Sequence, residues 1–232
     1  MKEKQAKKGL SYFILYPMLL VFTIWLVFWI EETFHYNFAK YGVYPWRVSG
    51  LKGIIFSPLI HANISHILHN TLPLFIASSF LFYHYRSVAW RVLIIGWILT
   101  GIGTWLLGRP SYHIGMSGVN NMLISFLFFS GIIINYHRLV AVSLIMVFLY
   151  GSLIWLMFPI VDYVSWEGHV SGFASGLLLA FIYGTKLKKI YPNKNNVIIY
   201  PEDSDFLRQF DENGNFIEYI EKNEEEEKSF DS

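Results

Sequence analysis

Cysteine is absent from the 232 residues. That excludes disulfides, thiolate nucleophiles and cysteine-ligated metals. Charge is scarce too. Asp, Glu, Lys and Arg make up 15% of the chain, against 54% hydrophobic and 19% aromatic residues. The mean hydropathy is +0.39. This is too apolar for an ordinary soluble domain and suits a polytopic membrane protein. The formal net charge of +1 carries no information about nucleic acid, and no such partner is expected. A cleavage signal is also missing. The first apolar run is too long for a signal-peptide core, and Trp29-Ile30-Glu31-Glu32 follows it instead of small residues.

What is present is long apolar runs. A span needs about 20 mostly apolar residues, and six runs qualify: 12–30, 66–82, 87–107, 114–134, 139–160 and 168–183. The predicted fold is an all-α polytopic bundle of six transmembrane helices over residues 1–190. The 31–65 segment, rich in Tyr, Phe and Trp, reads as an interfacial loop with some helix. One side of the bundle collects Lys2, Lys4, Lys7, Lys8, Arg86, Arg91, Arg138, Lys186, Lys188 and Lys189, and the other only Lys40, Arg47, Lys52 and Arg109. The positive-inside rule then puts both termini in the cytoplasm. Residues 191–232 read as an acidic cytoplasmic tail, with a small hairpin about Asn213-Gly214 and a disordered last ten residues.

In this topology, runs two, four and six all begin on the outer side. Each begins with polar residues: His61-Ala-Asn-Ile-Ser-His66-Ile-Leu-His69-Asn70, Gly115-Met-Ser117-Gly118, and Gly168-His169-Val-Ser-Gly172. Three polar clusters at one depth point to a single water-accessible site. A serine flanked by glycines is a nucleophile candidate, and a histidine at matching depth can take its proton. His66 and Asn70 are four apart, share a helix face and can both donate hydrogen bonds, as an oxyanion requires. Ser117 lies near the start of a helix, where its N–H and the helix dipole favour negative charge. Gly168, Gly172 and Gly176 recur every four residues, and Gly118 offers the matching gap, so that two helices can approach closely.

The set, in this order, spacing and span assignment, resembles the rhomboid intramembrane serine proteases. The resemblance covers about residues 56–176. It implies a six-helix fold and a Ser117–His169 dyad without an aspartate. It implies Ser117 as nucleophile and His169 as general base, then acid. His66, Asn70 and the Ser117 N–H are the implied oxyanion donors. Gly115, Gly118, Gly172, Gly176, His61 and Asn121 are the implied structural surroundings. The implied substrates are transmembrane helices of other membrane proteins, cut near the outer surface, with no metal and no organic cofactor. A multi-pass cell-membrane location, in a bacterial plasma membrane, is expected. The chain departs from the family pattern in three places. Asn121 stands where tyrosine is common, Trp46-Arg47 lies further upstream than the usual pair, and Glu167-Gly168 precedes the histidine in place of alanine.

Plainer readings exist for each residue. Ser117 can back-bond to a carbonyl in its own helix. His66 and Asn70 can serve as interhelical glue. His61 caps or orients the loop, and His69 is structural. Asn120 and Asn121 are interhelical hydrogen-bond partners, with Asn121 also able to line the site. Glu167 is a solvated loop carboxylate, or else a group that polarises His169. For the whole chain, the alternatives are a catalytically silent relative that binds transmembrane helices, a histidine-metal hydrolase, and a small-solute transporter. The second lacks a His-Glu-x-x-His arrangement, and the third lacks an evident inverted repeat.

Overall fold

The structure is a computed structural model and describes residues 2–159, 165–189, 191, 210, 215 and 216. Among these there is no β-strand. Seven α-helices follow one another: α1 (Lys2–Thr33), α2 (Gly53–Phe56), α3 (Ile64–His84), α4 (Ala89–Leu107), α5 (Ser117–Ile134), α6 (His137–Tyr150) and α7 (Trp166–Lys188). The chain divides into two units, residues 1–192 and 193–232.

Among the described residues, four helices are long and apolar enough to cross a membrane: Tyr12–Thr33 within α1, then α4, α5 and α7. Apolar helices of this length in a chain this poor in charge make an integral membrane protein. The second and fifth predicted spans differ from expectation. Helix α3 has 21 residues, but its first two turns carry Ser65, His66, His69 and Asn70, which dilute its hydropathy. The apolar run 139–160 is not one α-helix. Helix α6 has 14 residues and gives way at Gly151 to a 3-10 segment, Gly151–Met157. Residue 160 lies outside the described residues.

Helix α5 sits at the centre. In its spanning window 67% of residues are buried, against 11% in α1. Met122, Leu123, Phe126 and Leu127 on α5 are fully enclosed. At its C-terminal end Asn135 adopts a left-handed conformation (φ 54°, ψ 43°) and its N–H returns to the Gly131 carbonyl, which stops the helix. Helix α1 lies on α3. Its Trp25 indole donates to Thr71 Oγ1 at 3.0 Å, and Tyr16 packs on Phe82.

The aromatic 31–65 loop is built as expected from short pieces: 3-10 turns at Ala39–Tyr41, Val48–Gly50 and Ser57–Leu59 around α2. Val43 pairs with His113 through two backbone hydrogen bonds. In the second unit, Phe210 and Phe216 form an isolated antiparallel bridge. The Asn213-Gly214 turn and the last ten residues lie outside the described residues.

Candidate active site

Helix α5 begins at Ser117 itself, so the serine is the first helical residue. Its hydroxyl therefore has no carbonyl one turn earlier in its own helix. Ser78, Ser130, Ser143 and Ser175 each donate to the carbonyl four residues before. Ser117 does not, and among the described residues its hydroxyl makes no hydrogen bond. The back-bonding reading fails here for this reason of position. The first N–H groups of α5 lack intrahelical acceptors, and the first capping bond runs from Asn120 N–H to Met116 O.

The loop before Ser117 is held tightly. Gly115 N–H donates to Ser57 O at 2.8 Å, and Met116 N–H donates to His61 Nε2 at 3.4 Å. Gly115 has φ +108°, and a β-carbon there would lie 2.6 Å from His66 Cε1 and Nε2. Glycine is required twice over, by conformation and by space. His61 thus orients the loop, with its ring 5.0 Å from that of His66. Burial, then the neighbouring His66, pushes the His61 pKa down to about 3, and a backbone bond at Leu59 opposes this only in part. His61 is therefore neutral and able to accept.

Helices α5 and α7 meet through glycine. A β-carbon on Gly172 would run into the Gly118 carbonyl oxygen, and one on Gly176 into the Met122 carbonyl. A β-carbon on Gly118 would lie 2.9 Å from the Gly168 carbonyl oxygen. The residues next in sequence to Gly118 and Gly168 are Ser117 and His169. Both line one cavity of about 970 Å³, together with His66, Asn70 and Asn121. Among the described residues no hydrogen bond joins Ser117 to His169.

The hydrogen bonds assign the ring nitrogens. His169 is 3% exposed, and its Nδ1 lies 2.9 Å from the Leu156 carbonyl oxygen. A carbonyl only accepts, so Nδ1 carries the proton and Nε2 is the basic nitrogen. His66 is the reverse. Its Nδ1 accepts from Ala62 N–H at 3.4 Å, which leaves the proton on Nε2, the atom beside Gly115. Asn70, 3% exposed, donates Nδ2–H to His66 O at 2.9 Å. Its Oδ1 accepts from Asn120 Nδ2 at 3.0 Å. That fixes the flip of the Asn70 amide and leaves it a second N–H for the cavity.

Several sequence expectations need correction. Glu167 is not solvated. It is 1% exposed, with Oε1 at 3.2 Å from both the Arg109 N and Nε. The first turn of α7 points it inward, where a loop cation meets it. His69 does line the cavity, and its Nδ1–H donates to Ser65 O at 2.7 Å. Asn120 is an interhelical partner as expected, but among the described residues Asn121 makes no such bond, and it lines the cavity. His113 was not singled out by sequence reasoning. It is 5% exposed, with Nε2 at 3.0 Å from Arg109 O and Nδ1 at 2.6 Å from Ser165 Oγ. Ser165 Oγ in turn accepts Gly168 N–H at 3.3 Å, capping α7. The Ser165-x-x-Gly168 spacing was the available signal. Among the described residues no group of three or more His, Asp or Glu is placed to hold a metal ion.

The family model of the rhomboid domain matches residues 45–186. Similar proteins include an uncharacterized protein of Mycobacterium bovis and one of Mycobacterium tuberculosis. Each is 34% identical over 158 residues, covering 64% of this chain and 65% of the relative. An uncharacterized protein of Mycobacterium leprae is 28% identical over 175 residues, covering 72% of this chain and 69% of the relative. The matched region thus spans just under two thirds of the length of the first two relatives. The rhomboid match takes in every site segment described above, from the loop at Trp46 to residue 186 in the last turn of α7, and the chain belongs to the rhomboid family.

Proposed function

We propose that this protein is an intramembrane serine protease that cuts transmembrane segments of other membrane proteins. The observation that carries the reading is one cavity lined by Ser117 and His169, with His66 and Asn70 holding unspent N–H donors beside them. Ser117 Oγ attacks the substrate carbonyl carbon as His169 Nε2 takes its proton. The carbonyl oxygen becomes an anion and accepts from the Ser117 N–H, His66 Nε2–H and Asn70 Nδ2–H. His169 then gives the proton to the leaving amine. Water, activated by the same Nε2, releases the acyl group from Ser117. The imidazolium has no carboxylate partner in this scheme. The Leu156 carbonyl supports its Nδ1–H instead.

The chain is read as a six-span bundle, with α3 and α6 joining the four helices that are both long and apolar enough to span. Both termini lie in the cytoplasm, and the site opens towards the outer face of a bacterial plasma membrane. The first 190 residues form the membrane domain, and the acidic tail follows.

The test is cleavage of a generic transmembrane reporter in proteoliposomes, with Ser117→Ala as control. A Ser117-dependent product near the outer end of the reporter helix is expected. Equal traces from both proteins, with the fold verified, would favour a silent relative that only binds helices. Cleavage that persists in Ser117→Ala and stops with a chelator would favour metal chemistry.

A further inference from the structure

Asn121 is 8% exposed, yet among the described residues its carboxamide has no hydrogen-bond partner, and it lies on the wall of the cavity. Its neighbour Asn120 is spent on Asn70. Ser117 and Asn121 are four residues apart on one helix, so they share a face. Asn121 lies about 6 Å deeper along the axis. A side chain projecting from the carbon that bears the attacked carbonyl, and pointing down α5, would reach it.

The chemistry of that wall follows from desolvation. With the cavity open, water can satisfy the amide. A bound substrate displaces that water, and the amide then needs a partner from the substrate or stays unpaired at a cost. An apolar substrate side chain leaves it unpaired. A hydroxyl or a carboxamide does not.

We propose that Asn121 makes the enzyme prefer substrates whose residue at the attacked carbonyl carries a short hydrogen-bonding side chain, a hydroxyl or a carboxamide. This rests on the serine-protease reading above. Asn121 acts here on substrate choice, not on the bond-breaking step.

The experiment uses the full chain in proteoliposomes with four reporters that differ only at that residue, Ser against Ala and Asn against Leu, with products located by mass. The wild type is expected to favour the polar member of each pair in kcat/KM by about ten-fold or more, the size that one buried unpaired polar group produces. In Asn121→Leu the ratio should fall to about one or reverse, whatever the absolute rate. Asn121→Ala removes the amide without adding volume and should also collapse the ratio, should the leucine variant misfold. A wild-type ratio near one, or a ratio that survives both substitutions, overturns the inference while leaving the protease intact. No Ser117-dependent product from any reporter would instead remove the protease reading on which the inference stands.

Discussion

Gly172→Ala tests how the site is assembled. The added methyl would meet the carbonyl oxygen of Gly118, which belongs to helix backbone and cannot swing aside. To restore contact distance, α5 and α7 must part by on the order of 1 Å. Overpacking of this kind costs about 1–3 kcal/mol, offset in part by the better helix propensity of alanine, about 1 kcal/mol. A net loss of up to about 2 kcal/mol would lower an apparent Tm by up to roughly 8 °C for a chain of this size. The larger effect should be on activity. Ser117 adjoins Gly118, so parting the helices moves the serine away from His169. A misplacement of about 1 Å can cost about 10²-fold in rate. Gly184→Ala, on the same helix, is the control. There the nearest atom is the Ile133 Cγ2 methyl at 3.2 Å, the end of a side chain that can give way. Thermal unfolding in detergent and reporter cleavage in liposomes give both readings. If Gly172→Ala and Gly184→Ala match the wild type equally in both, backbone contact between α5 and α7 does not hold the site together.

Asn70→Ala should lower kcat by about 10²-fold if its free N–H meets the oxyanion. Asn120→Leu, which only unlocks the Asn70 amide, should cost less, about 10-fold, and an unchanged kcat would show that the amide needs no lock. Arg109→Met removes the charged partner of the buried Glu167 carboxylate and leaves it only the backbone N–H of residue 109. It should destabilise by about 2 kcal/mol, reduced from the fully buried case because Arg109 is 39% exposed. Adding Glu167→Gln should restore much of that, and a double variant no better than the single would refute the pairing. The His61 pKa is lower folded than unfolded, about 3 against 6.5. The unfolded chain therefore takes up the proton first, and stability falls as pH drops from about 6.5 towards 3. His61→Gln should flatten that slope, as measured by unfolding across the range.

The sequence showed most plainly what hydropathy and glycine spacing encode. Four long apolar helices and the Gly118–Gly172 contact were readable because each depends on local periodicity, and Ser117 and His169 were named together before the structure put both on one cavity. The break of the 139–160 run at Gly151 was not, since a charge-free apolar stretch looks alike as an α-helix or as an α-helix followed by 3-10 turns. Glu167 was misread because a carboxylate beside a loop looks solvated until Arg109, 58 residues away, folds against it. His113 escaped notice for a similar reason: its partner Ser165 lies 52 residues further on. Asn120 and Asn121 are adjacent and identical in type. Only the helix rotation, which puts one against Asn70 and the other on the cavity wall, tells them apart.

The carbonyl of Leu156 has a genetic meaning. A serine–histidine–aspartate arrangement has a codon whose loss removes the group that orients the imidazole. Here that group is main chain, present whatever residue is encoded at position 156. No single missense change at that position can delete the acceptor. It can only be displaced by shifting the Gly151–Met157 segment as a whole. The orientation of His169 is thus sheltered from point mutation at its partner and exposed instead to changes in the backbone path around it.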